Sequence, residues 1–178
     1  MEIKVPFYNV LNMFLTGLVF IGGCAMVYPE LATGFLKSEV IINLKTSPEI
    51  ILTVCAFAVA YEVGLIINRI GSVVVEPVLK KIKAIPFDDD YVKYNKKKKE
   101  FPIMNTLSRE FALSRTGIVL FGILTAAAIY GKKIFFIHVF AATAFVYFLS
   151  CRKHAGKIVA LMKNTGDEKV EINITVKE

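Results

Sequence analysis

Glu62, Arg69 and Glu76 recur every seven residues in a stretch otherwise dominated by Ile, Val, Leu and Ala. A seven-residue step drifts by only about 20° around an α-helix, so the three form one charged stripe, with Asn68, Ser72 and Lys80 close to that face. Counted from Ile50, Glu62 lies roughly 18 Å along the helix, near the midplane of a hydrocarbon core about 30 Å thick, whereas Arg69 reaches the interface. A carboxylate at that depth must be neutralised, hydrated or paired. The stripe therefore either lines a pore or water-filled cavity, or forms an ion-paired packing network within or between protomers. Asn9, Asn12 and Thr16 make a milder stripe on an earlier helix. They are suited to interhelical amide bonds or to a lumen, and Gly17, Gly22 and Gly23 allow a second helix to come close.

Other reactive side chains assemble into nothing catalytic. Cys24, Cys55 and Cys151 all fall in apolar runs. Their number is odd and no pair has metal-ligand spacing, so buried thiols are expected, with neither a disulfide nor a metal site. Ile21-Gly22-Gly23-Cys24 has the form of a lipoprotein cleavage box, but only Lys4, offset by Glu2, precedes the apolar run, and no flexible polar stretch follows it. His138 stands alone in an apolar run, and Arg152 and His154 are two apart and point to different helix faces. No phosphate-binding glycine loop, zinc-protease motif, nucleophile elbow or dinucleotide turn is present, so the expectation is a protein that is not an enzyme and holds no cofactor or metal.

The elements that position these residues follow from how charge is distributed along the chain. Of the 178 residues 55% are apolar, yet 22 Lys and Arg against 15 Asp and Glu leave a net charge of +7. The mean hydropathy is +0.56. Apolar and cationic residues are segregated. Val5 to Pro29, the stretch from Ile50 onward, Thr116 to Gly131 and Ile134 to Cys151 predict four membrane spans, approximately 8–28, 50–72, 113–131 and 134–151. The parts 73–112 and 152–178 are predicted to be cytoplasmic, because residues 80–115 hold ten Lys and Arg and the stretch after Cys151 holds six more. Both termini then lie inside. Lys80, Lys81, Lys83, Arg152, Lys153 and Lys157 form a basic cytoplasmic surface suited to the anionic inner leaflet. Such attraction needs no interleaved aromatics; an acidic partner is the weaker alternative, and direct nucleic-acid binding is not expected.

The fold class is thus an all-α membrane protein of one domain, 1–178: a four-helix transmembrane bundle with helices 2 and 4 extended into the cytoplasm and a short C-terminal β-strand. Pro48 starts helix 2, Pro77 falls inside it, and Pro86 ends it, giving a rod of roughly 54 Å over 49–84. Helix 4 continues to the Asn164-Thr165-Gly166 stop. Phe87 to Glu100, with three aspartates and then four lysines, predicts a solvated loop. Val170, Ile172, Ile174 and Val176 alternate with polar residues, which predicts a strand that must pair elsewhere.

The opening Pro6-Phe7-Tyr8-Asn9-Val10-Leu11-Asn12-Met13-Phe14-Leu15-Thr16-Gly17 and the run Tyr61-Glu62-Val63-Gly64-Leu65-Ile66-Ile67-Asn68-Arg69-Ile70-Gly71 resemble the small membrane accessory proteins of type VI-B CRISPR systems. The resemblance implies a homo-oligomeric ring in the bacterial inner membrane. It further implies that the ring strengthens antiviral defence by an RNA-guided, RNA-cleaving effector, through permeabilising or depolarising the membrane. That family is also described with a ribonuclease motif of Arg and His separated by four to six residues. From Arg152 the required positions are Lys157, Ile158 and Val159, so the His is absent and RNA cleavage is left to the effector. The other readings are a pore-forming effector of another bacterial conflict system, a non-conducting structural subunit and, last, a membrane enzyme.

Overall fold

The structure, a computed structural model, describes residues 7–36, 48–86 and 90–163. Its helices are α1 (Phe7–Val27), α2 (Pro29–Leu36), α3 (Pro48–Ile70), which passes through a π-helical turn (Gly71–Val75) into α4 (Glu76–Lys81), then α5 (Tyr91–Glu100), α6 (Ile103–Tyr130) and α7 (Ile134–Lys163). Among the described residues there is no strand. The expected tail strand, Val170 to Val176, lies outside them. Four helical stretches are long and apolar enough to cross a membrane: α1, Thr53–Lys81, α6 and α7.

The helices alternate in direction. Gly17 of α1 meets Ala60 of α3 while Met13 meets Gly64, and Ser114 of α6 meets Ser150 of α7 while Gly117 meets Tyr147. Hence α1 begins, α3–α4 ends, α6 begins and α7 ends at one pole, the basic end that carries Lys80 to Lys99. The main core lies toward the other pole, where Val27, Leu124, Ala128 and Phe140 are buried together. A second cluster of Leu79, Ile85, Cys151 and Ala155 closes the basic end. Outside these clusters the flanks are apolar and open: Phe57 is 53% exposed and Val146 62%. Such a surface is suited to lipid and is a liability in water.

The α1–α3 crossing depends on two glycines. A Cβ on Gly17 would strike the Ala60 carbonyl oxygen, and one on Gly64 the Met13 carbonyl oxygen. Each glycine instead turns a Cα hydrogen toward the opposite backbone, the close approach that small residues permit between membrane helices. Of the other glycines in α1, Gly23 packs on Leu124, where an added Cβ would lie 2.8 Å from its methyls, whereas Gly22 faces open space.

Two features differ from the sequence expectation. The stretch Tyr91–Glu100 is a helix, not a loop. Asp90 caps it by accepting a hydrogen bond from the Lys93 amide at 2.9 Å, and Lys97 pairs with Glu100 at 2.8 Å. Lys97 and Lys98 also lie over the Phe101 and Tyr94 rings. Lysine is a good helix former, so a cap and aromatic platforms outweigh the repulsion of an exposed Lys run. The hydrogen bond from Lys97 holds the Glu100 carboxyl below its ordinary range. In addition α6 starts at Ile103, ten residues before the expected span, so three helical rods rather than two continue into the basic end.

Two helices end in the same way. After α4, Lys83 (φ 54°) donates to the Lys80 carbonyl and Ala84 to Leu79; after α6, Lys132 (φ 53°) donates to Ile129 and Lys133 to Ala128. Both are Schellman closures with lysine in the left-handed position that glycine usually takes. Glycine occupies the preceding position, Gly131, because a Cβ there would lie 3.1 Å from Val27 and 3.2 Å from the Tyr28 ring. The left-handed conformation costs an L-residue about 1–2 kcal/mol, part of which glycine returns through its freer unfolded chain. Lys132→Gly is expected to stabilise the protein by about 0.5–1 kcal/mol, read as a rise of roughly 1–3 °C in Tm in detergent.

Candidate functional site at the basic end of the bundle

Pro77 decides where Glu76 points. Proline lacks an N–H and crowds the carbonyl four residues back, here that of Val73, so an uninterrupted α-helix is disfavoured. The chain answers with the π-helical turn, closed by the Glu76 amide donating to the Gly71 carbonyl. One π turn inserts one residue and shifts everything beyond it by roughly 100°. The seven-residue stripe is thereby divided. Glu62 and Arg69 remain on the exposed flank of α3. Glu76 instead turns inward and is paired with Lys80 at 2.6 Å and with Arg115 of α6.

Arg115 is the hub. Its side chain and that of Glu76 are each 17% exposed, and its Nε is buried without a partner among the described residues. Its guanidinium also lies 5.9 Å from the centre of the Phe111 ring. The next residue, Thr116, donates to Asn68 Oδ1 at 2.9 Å, sharing its proton with the Ala112 carbonyl at 2.8 Å. On the α7 side Ser114 and Ser150 are 2.9 Å apart. Toward α5, Tyr94 and Ser108 hydroxyls are 2.5 Å apart.

A cavity opens on each side of Arg115. One, of about 290 Å³, is largely apolar and lies among Phe111, Ala155, Ile158, Val159 and Met162, with Glu76 and Asp90 at its edge. The other, of about 300 Å³, is polar and brings Asn9 and Asn12 of α1 together with Asn68 of α3 and Asn105 of α6. Arg109, which lies over the Tyr8 ring at 5.9 Å, and Lys98 complete its wall.

The two sequence stripes thus meet in part. Asn9, Asn12 and Asn68 share one cavity of the chain, while Thr16 is buried and donates to the Asn12 carbonyl at 2.8 Å. Ser72 is half-buried on the π turn. Lys81, Lys83, Arg152, Lys153 and Lys157 are exposed, and Lys80 is committed to Glu76. Of the thiols only Cys151 is buried; Cys24 is half-buried and Cys55, against expectation, is exposed on an apolar flank. His138 is exposed and bonds the Ile134 carbonyl of its own helix at 2.9 Å. Among the described residues no three His, Cys, Asp or Glu are placed to hold a metal.

Arg109 and Arg115 were not singled out in the sequence, where they are two of ten cations around a loop. The available signal was position: Arg115 immediately precedes the uncharged run from Thr116. No protein-family model, curated protein or solved structure matches the chain. Its described residues are helical, with four segments long and apolar enough to span a membrane.

Proposed function

We propose that the protein assembles as a homo-oligomeric ring in the bacterial inner membrane and permeabilises or depolarises it, reinforcing antiviral defence by an RNA-guided ribonuclease effector. The observation that carries the reading is the exposure of Glu62 and Arg69 on the outer flank of a helix that is long and apolar enough to span a bilayer. A charged side chain at the centre of a membrane helix costs about 2.5–3.5 kcal/mol even on the most lenient scale, so this face calls for water or another copy of the chain. A ring supplies both. The excess of Lys and Arg at the basic end supports a cytoplasmic setting for that pole, and the same charge bias along the sequence supports cytoplasmic termini. There the three extended rods could sense the effector, provided two arrangements of the ring bind it with different affinity.

The test is ion flux from proteoliposomes. Replacing both Glu62 and Arg69 by Leu turns a hydrated constriction into one that dewets. Flux is expected to fall at least about tenfold, with the mass of the oligomer unchanged. Unaltered flux from a correctly assembled double variant would remove the two residues from the conducting path.

A further inference from the structure

The polar cavity beside Arg115 has a composition unlike the rest of the bundle. Four carboxamides converge on it from three helices, and Lys98, Arg109 and Arg115 border it, with no carboxylate among the described residues of its wall. Asn9, Asn12 and Asn105 make no side-chain hydrogen bond to a described residue, and Arg109 has no ion pair among them; its guanidinium lies over the Tyr8 ring. Arg115 shares the Glu76 carboxylate with Lys80 and keeps a buried Nε–H with no acceptor among the described residues. Among the described residues neither Lys98 nor Arg109 has an acidic partner, and both stand beside a set of amide N–H donors. Such a set matches the oxygens and charge of a phosphate group, since cationic and amide donors to an anionic acceptor give the stronger class of hydrogen bond. At about 300 Å³ the cavity is at the lower limit of small-ligand sites. Its level is equally specific: it lies where α6 passes from Arg109 and Arg115 into the uncharged run that starts at Thr116.

We propose that this cavity is a phosphate-binding site, filled by the headgroup of an anionic phospholipid or by the phosphate of a small soluble ligand. Occupancy would tie α1, α3, α5 and α6 together at the basic end, whether or not the oligomer conducts ions.

The full-length protein in mild detergent provides the test. Native mass spectrometry is used to titrate it with phosphatidylglycerol and, separately, phosphatidylcholine, and thermal unfolding is followed in sodium phosphate against sodium chloride of equal ionic strength. Preferential retention of phosphatidylglycerol, weakened about tenfold by Arg109→Gln and by Lys98→Gln but not by Arg152→Gln or Lys153→Gln, supports the lipid source. Stabilisation by inorganic phosphate with the same dependence on Arg109 and Lys98 supports the soluble source. Lys98 stands on the peripheral helix α5, so its variant remains informative should Arg109→Gln fold poorly. Equal retention of the two lipids with no effect of phosphate, or equal losses in the Arg152 and Lys153 controls, overturns the assignment.

Discussion

Gly64→Ala is expected to destabilise the protein by about 3 kcal/mol or more, a fall of roughly 6 °C or more in Tm, although it adds one methyl group. At most helical positions the exchange is favourable, because alanine forms helices better than glycine. Here the new Cβ falls on the Met13 carbonyl oxygen, and backbone cannot swing aside as a side chain can. The helices must separate or slide, losing contact along the whole crossing, and overpacking of this kind commonly costs about 1–3 kcal/mol even where side chains can yield. Gly17→Ala meets the Ala60 carbonyl oxygen in the same way. The two changes should be less than additive, since the first already opens the interface that the second would open. Gly22→Ala and Gly122→Ala, where nothing lies within 4 Å, are the controls and should leave stability unchanged or raise it by up to about 1 kcal/mol. An unchanged Tm for Gly64→Ala would mean that α1 and α3 do not cross at this point.

Arg115→Met carries the second large effect. It leaves the inward-turned Glu76 with Lys80 alone. Removing one member of a buried ion pair typically costs about 3–5 kcal/mol. Discounted for the remaining Lys80 and for partial exposure, the expected loss is about 2–3 kcal/mol. The informative variant is the double one. Glu76→Leu with Arg115→Met should be more stable than Arg115→Met alone, because the single change leaves an inward-turned carboxylate short of a partner, whereas the double change takes a carboxylate only from Lys80, whose long side chain can turn toward water. Arg115→Lys should fall between, keeping the charge while losing the planar fork. A thermal-unfolding cycle over the four proteins measures this, and additive losses would show that the two side chains are not coupled.

Most of the architecture was legible because long uncharged runs and proline positions are local signals. Pro48 starts α3, and α7 runs unbroken from Ile134 to Lys163. What escaped was set by partners distant in sequence or by a change of helical phase. The five lysines of α5 repel one another when considered alone; the Asp90 cap and the Tyr94 and Phe101 rings reverse the balance. The expected alignment of Glu76 with Glu62 assumed one uninterrupted helical phase, which the π turn before Pro77 does not keep. Arg115 lies 39 residues from Glu76, so no local pattern marks it as the residue that receives that carboxylate. The amide cavity was half visible: Asn9 and Asn12 share a helix face in the sequence, but only packing adds Asn68, Asn105 and Arg109 to them.

The central claim is that copies of this chain surround a lumen faced by Glu62 and Arg69. Projection imaging of the purified, detergent-solubilised protein tests it most directly. The account predicts a closed ring with a density minimum at its centre, and a compact dimer without one would contradict it.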